Sequence, residues 1–534
     1  MNDILAQIDR ALDADDIMTA SNIAERALAE GRKDPIVFNL TAWRREEEGR
    51  FDEAEALLRE ALSLTPGDAS LHLALGVVLR AQGKLKLAVE ALEQALALDP
   101  DYATAWFERG ATFERGGAMK DAAEDFQHAL RLDPDHAPAH AALAAAFAKR
   151  GEAEPARRHA ERALQLDPGS VAARSALAQL AMEAKRFDEA IGLLEPVAGA
   201  DGDRRELLVS ARTLLGDAYE GAGRYADAYR AYERAQTLFH NVHSARLSVD
   251  REGAHAFLEK VGASFARTDK ALWRSAAPPP ASPVGLHVIL TGYPRSGTTL
   301  VENILATLPN AVAIEERPTL GEADRRFLSE PDGVERLMAL SEAELDELRA
   351  SYWQRAEAAA GESLAGKIFV DMDPFKAPRL PVIARLFPQA KVIIMRRDPR
   401  DVVWSCFHTS FAYNSGTLAF SSLESTARHY ALSWSIAEEA LETLPIDWFE
   451  LRYASLVREF DATTQALCAF LGVPWSDELR KFDRTARERG VSTASATQVR
   501  RGLYDGSGGW QRYADRLAAV EPILKPWVER FGFA

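Results

Sequence analysis

The sequence predicts a multidomain chain, an all-α superhelix of helical repeats followed by an α/β domain built on a parallel sheet. Three observations carry this expectation. Residue types recur with a 34-residue period over the first half. A proline-rich stretch at 276–283 then separates that half from a region where short apolar runs alternate with longer amphipathic ones. The first of those runs feeds directly into a glycine-bounded loop, Gly292 to Gly297.

At 534 residues the chain is too long for one ordinary domain. Its net charge of −16 argues against a nucleic-acid binder, which needs a broad basic face, but a few local arginines still suffice for a phosphate site. Two cysteines, Cys406 and Cys468, exclude a disulfide framework. The opening Met1-Asn2-Asp3-Ile4 has no basic and apolar leader pattern, and no run is long enough for a membrane span. The expectation is a cytoplasmic protein that binds neither membrane nor nucleic acid.

Prolines 66, 100, 134 and 168 are spaced by 34 residues, as are Gly49, Gly83, Gly117 and Gly151. Ala54, Ala88, Ala122, Ala156 and Ala190 keep the same interval, and so do Ala61, Ala95, Ala129 and Ala163. The pattern predicts a helix pair per unit, with small residues at close crossings and a proline ending each second helix. It resembles the tetratricopeptide repeat, with about seven units over residues 1–240. By that resemblance the stacked groove holds a protein or peptide; the alternative is that the array only supports or oligomerises the rest of the chain.

Residues 241–284 read as a connecting helix and proline-rich linker, and 285–534 as one α/β domain. Its apolar runs, 286–291, 367–371, 391–395 and 449–453, are the expected strands. Gly292-Tyr293-Pro294-Arg295-Ser296-Gly297-Thr298-Thr299 follows the first, with a helix predicted near Thr298. Backbone N–H groups and the helix dipole there suit an anion. The Gly-x4-Gly spacing is P-loop-like, but Thr298 stands where a nucleotide triphosphatase has lysine, which weakens an ATP- or GTP-dependent, kinase-like reading. The loop's own positive charge is Arg295.

Pro-Arg-Ser-Gly-Thr-Thr after a strand resembles the 5′-phosphosulfate loop of sulfotransferases, which implies 3′-phosphoadenosine 5′-phosphosulfate as donor. The implied loop contacts are Arg295, Ser296, Gly297, Thr298 and Thr299. Lys391 through Ser405 resembles the 3′-phosphate motif of that superfamily, implying donor contacts by Arg397 and Ser405. Arg400 and Asp401 read instead as a surface pair or helix cap. The region from 285 onward is similar to the tyrosylprotein sulfotransferase branch and its repeat-fused bacterial relatives. This implies Glu316, the second of the Glu315-Glu316 pair, as catalytic base, although two adjacent acids equally fit a solvated helix start. It also implies Ser495 as transition-state stabiliser, with Gln498, Val499, Arg500 and Tyr453 beside the donor. Where the family has a lysine near the leaving phosphate, this chain has Met372. Lys376 is the favoured substitute, with Lys367 or Arg295 as others, and a solvent-facing Lys376 is the opposing reading. The family lysine before Trp510 is Gly509 here, and Arg512 is the candidate replacement. His408 and His429 read as ordinary helix residues, and no cluster has metal-ligand spacing.

The resemblance therefore implies direct sulfuryl transfer to a hydroxyl, with tyrosine in a polypeptide favoured over a sugar, lipid or small phenol. The rival expectation, prompted by Met372, is a repeat-based adaptor whose second domain binds nucleotide without turnover.

Overall fold

The structure is a computed structural model that describes residues 3–199, 205–244, 253–274, 280–489 and 502–533. It divides into two compact units, Met1–Arg224 and Tyr225–Ala534.

In the first unit the 34-residue period becomes geometry. First helices begin at Pro35, Ala69, Ala103, Ala137 and Val171, and second helices at Phe51, Leu85, Met119, Ala153 and Phe187. Second helices end at Leu64, Leu98, Leu132 and Leu166, two residues before each periodic proline, because the residue preceding proline is forced out of the helical region. Between paired helices the chain turns through a left-handed residue at Asp15, Gly49, Gly83, Gly117, Gly151 and Lys185, with φ between 57° and 83°. Glycine adopts that conformation without penalty; Asp15 and Lys185 hold it because the repeat geometry requires it there. The periodic alanines are buried, Ala54, Ala88, Ala156 and Ala190 completely. A side chain on Gly110 would place Cβ 2.8 Å from the Phe126 ring, so the small residues mark helix crossings.

In the second unit five parallel strands form one sheet in the order β2-β3-β1-β4-β5. They are β1 (Leu286–Thr291), β2 (Ala311–Glu315), β3 (Ile368–Met372), β4 (Lys391–Arg396) and β5 (Asp447–Arg452). The central strands β1, β3 and β4 are buried almost throughout, which is why they read as continuous apolar runs. Strand β2 was not among the expected runs. It is a five-residue edge strand, half-buried and rich in alanine, with little apolar signal. Glu315 and Glu316 therefore stand at the end of a strand and not at a helix start.

Helix Tyr225–His243, the last with repeat-like spacing, belongs to this second unit. Its Tyr232 packs edge-on against Trp404, and Gln236 donates to the carbonyl of Phe407 at 2.6 Å. Helix Ala254–Arg267 lies along helix Leu423–Thr443, with His255 Nε2 2.9 Å from the carbonyl of Ser425. No helix among the described residues is long and apolar enough to cross a membrane.

Candidate active site

Every strand of the sheet points its carboxyl end toward one edge, and the candidate residues leave from that edge. Thr291 leads into the glycine loop, Arg396 into Arg397, Glu315 into Glu316, and Arg452 into Tyr453. The chain runs from β1 toward β2 on one side and crosses to β4 on the other. The crevice between the ends of β1 and β4 is thus the switch point at which parallel sheets bind ligands.

The glycine loop fills that crevice. A Cβ on Gly292 would sit 2.8 Å from Ser296 Oγ and 2.9 Å from the Met395 carbonyl oxygen, so no side chain fits. Gly297 has φ 110° and its Cβ would meet the Tyr453 ring at 2.9 Å. The amide of Tyr293 donates to Ser296 Oγ at 3.3 Å, and the amide of Ser296 donates back to the Tyr293 carbonyl at 3.0 Å. Helix Thr298–Leu305 starts at once after Gly297, whose carbonyl accepts from the amides of Leu300 at 3.1 Å and Val301 at 3.3 Å, so the positive end of its dipole lies at the loop. Arg295 is held at φ 68°, a left-handed conformation costing about 1–2 kcal/mol for a side-chain-bearing residue. Its Nε donates to Ser405 Oγ at 3.0 Å, uniting two residues 110 positions apart.

Arg397 is the second cation. It donates to the carbonyls of Arg295 at 2.9 Å and Gly506 at 2.6 Å, and its guanidinium lies 4.7 Å from the centre of the Tyr453 ring. Its Nε is buried and has no hydrogen-bond partner among the described residues. Tyr453 donates its hydroxyl to the Tyr504 carbonyl. Asp401 is buried, not a surface residue, and accepts from the amides of Gly508 at 2.7 Å and Trp510 at 3.0 Å. It pins the C-terminal segment across the crevice, while Arg400 pairs with Asp398 and stacks on Trp510. Arg512 lies over the Tyr225 ring, 5.7 Å from its centre.

On the other side of β1, Glu316 is also left-handed, with φ 48°, and its amide donates to the Met372 carbonyl at 2.8 Å. Its carboxyl stays open to solvent on one side. Desolvation by the surrounding protein, reinforced by the nearby charges of Asp373, Glu315 and Glu302, pushes its pKa up to about 7. Met372 is fully buried in the sheet and cannot face a ligand. Lys376 is not solvent-facing: it is 1% exposed and binds Asp371 at 2.5 Å. The other Asp371 oxygen accepts from Thr319 at 2.8 Å and Tyr352 at 2.7 Å. Lys367 pairs with Glu362. Both substitute lysines are therefore engaged with acids, and Arg295 is the cation already on the loop.

Beyond Glu316 opens a cavity of about 930 Å³, lined by Arg317, Asp373, Phe375, Lys376, Tyr413 and His429 among others. A connecting helix and the strand that ends at Asp371 were expected, but that helix Ala254–Arg267 closes one wall and that Thr319 meets Asp371 was not legible, since nothing in their spacing signals it. Ser495, Gln498, Val499 and Arg500 lie outside the described residues.

Residues 287–477 match the family model described as Sulfotransferase family. Residues 5–69, 73–137 and 149–213 match models described as Tetratricopeptide repeat. The chain thus carries a sulfotransferase-family domain behind an array of tetratricopeptide repeats. An uncharacterized protein of Aquifex aeolicus (strain VF5) is 26% identical over 366 residues, 65% of this chain and 45% of that one. Protein-tyrosine sulfotransferase 1 of Danio rerio is 30% identical over 220 residues, 40% of this chain and 60% of that one. The chain spans about half the length of these relatives. Among solved structures, the APC/C hetero-tetramer Cut9–Hcn1 is similar over 45% of this chain and 48% of its own, at 18% identity and a TM-score of 0.38.

Proposed function

We propose that the second unit transfers a sulfuryl group from 3′-phosphoadenosine 5′-phosphosulfate to a hydroxyl acceptor, with tyrosine in a protein or peptide favoured. The observation that carries this reading is the convergence of Arg295, Ser405 and Arg397 on a loop with no room for side chains. Glu316, poised near neutrality, stands at the end of a strand two places from β1. The guanidinium of Arg397, the positive end of helix Thr298–Leu305 and the Gly292 cradle suit a bisphosphorylated nucleotide.

The donor, when bound, supplies an activated sulfuryl group and a phosphate leaving group. The chain's part is position and charge. Arg295 and the loop amides orient the 5′ end, while Arg397 and Ser405 hold the 3′-phosphate beside Tyr453. Glu316 takes the proton from the attacking hydroxyl, a task suited to a carboxyl with pKa about 7. No metal is assigned. The repeat array recruits the polypeptide acceptor or a partner, and the two buried thiols fit the reducing cytoplasm.

Calorimetry with adenosine 3′,5′-bisphosphate tests the donor site. Arg397→Ala and Arg295→Ala should each weaken binding by roughly 10–150-fold, the loss of a charged hydrogen bond of about 1.5–3 kcal/mol. Wild-type affinity in both variants would overturn the assignment. The base has its own signature. With acceptor turnover as readout, kcat/KM should fall about tenfold per pH unit below about 7, where Glu316 is protonated, and level off above it. A profile flat from pH 5 to 8 would remove Glu316 from the role.

The adaptor reading keeps one specific support, that Lys376 and Lys367 are both engaged with acids while Met372 is buried. Bisphosphate binding without turnover on any hydroxyl acceptor would favour it.

A further inference from the structure

The 930 Å³ cavity that opens at Arg317 is lined by several polar side chains that the mechanism above does not use, and His429 is the one tied to the glycine loop. It sits on helix Leu423–Thr443, is 3% exposed, and its Nδ1 lies 2.7 Å from the hydroxyl of Tyr293 in the glycine loop. Phe375 and Phe420 stand nearly perpendicular to its ring, at 87° and 89°, and His255 at 88°, so the imidazole has one orientation. Burial, with the adjacent His255, holds its pKa at about 3, so the ring is neutral at physiological pH. Burial also pushes the Tyr293 phenol up, keeping it a donor. A Tyr293 hydroxyl donated to Nδ1 leaves the ring proton on Nε2, the ring nitrogen that does not face the Tyr293 hydroxyl.

We infer that His429 is a specificity-determining residue for the acceptor: its Nε2–H donates to the oxygen of an aromatic hydroxyl compound seated in the cavity, in an orientation set by Tyr293. This rests on the sulfotransferase reading and deepens it. Phe375, Tyr413, Leu320 and Pro378 give the cavity the flat apolar walls that an aromatic ring requires. The Tyr293–His429 contact ties the acceptor wall to the donor loop through one hydrogen bond.

The test uses the full chain saturated with adenosine 3′,5′-bisphosphate and 2-naphthol as probe, with binding followed by naphthol fluorescence. The wild type should bind 2-naphthol, and His429→Phe should weaken that binding about tenfold, the loss of one hydrogen bond. His429→Gln, which restores an N–H, should recover most of it. Bisphosphate affinity should stay within about twofold throughout, a separation that a merely structural histidine would not produce. Should His429→Phe misfold because the Tyr293 hydroxyl loses its partner, the Tyr293→Phe/His429→Phe double variant removes both polar groups and carries the same expectation. Unchanged naphthol affinity, equal losses for naphthol and bisphosphate, or no naphthol binding by a wild type that binds bisphosphate would overturn the inference. Failure of the wild type to bind bisphosphate would instead sink the sulfotransferase reading, and the naphthol comparison on the bare chain would still decide the role of His429.

Discussion

Glu316→Gln is expected to lower turnover by about 10²–10⁴-fold while leaving bisphosphate affinity within about twofold. The substitution keeps volume, polarity and the amide contact with the Met372 carbonyl, and removes only the proton acceptor. Its pH profile should lose the inflection near 7. Glu315→Gln is the control. Glu315 is the last residue of β2, paired in register with Met372, so its side chain leaves the opposite face of the strand from its neighbour's. The control should lose far less rate. Full activity in Glu316→Gln would end its assignment as base.

A chain beginning at Tyr225 should melt cooperatively and bind bisphosphate, whereas one beginning at residue 241 should do neither. The repeat-like spacing suggests cutting near 240, but helix Tyr225–His243 is part of the second unit's core. Tyr232 is 1% exposed, Tyr229 stacks 6.4 Å from Trp404, and Gln236 donates to the carbonyls of Phe407 and Thr409. These contacts brace helix Pro399–His408, which carries Ser405. Losing one buried aromatic costs about 3–5 kcal/mol, and a domain has only about 5–15 kcal/mol to lose. Circular dichroism melts of the two chains decide the matter, and equal midpoints would contradict it. With the array removed at 224, sulfation of a protein acceptor should drop far more than that of a small phenol if the array recruits polypeptides.

Much of this protein follows from local sequence. Period, turn and proline positions specify the helix pairs residue by residue, because each repeat contacts mainly its neighbours and so must carry its own instructions. The buried central strands and the glycine loop are equally local: continuous apolar runs announce β1, β3 and β4, and Gly292 and Gly297 announce a loop with no room for side chains. The edge strand β2 is where local signal is weakest, since an exposed face needs no apolar run, yet it carries Glu316.

Tertiary structure alone decided which charges are free for chemistry. Lys376 carries the same side chain whether it reaches a phosphate or not; only the sheet register, which sets Asp371 in the buried interior five residues away, turns it into half of an ion pair. Asp401 became an anchor for the C-terminal segment through amides more than 100 residues distant. Glu316 acquired its pKa near 7 from desolvation and from Asp373, Glu315 and Glu302, carboxylates brought together from three separate stretches of chain. Charge and hydrogen-bonding depend on distance in space, and side chains that meet only across a sheet or between helices leave no periodic trace in the sequence.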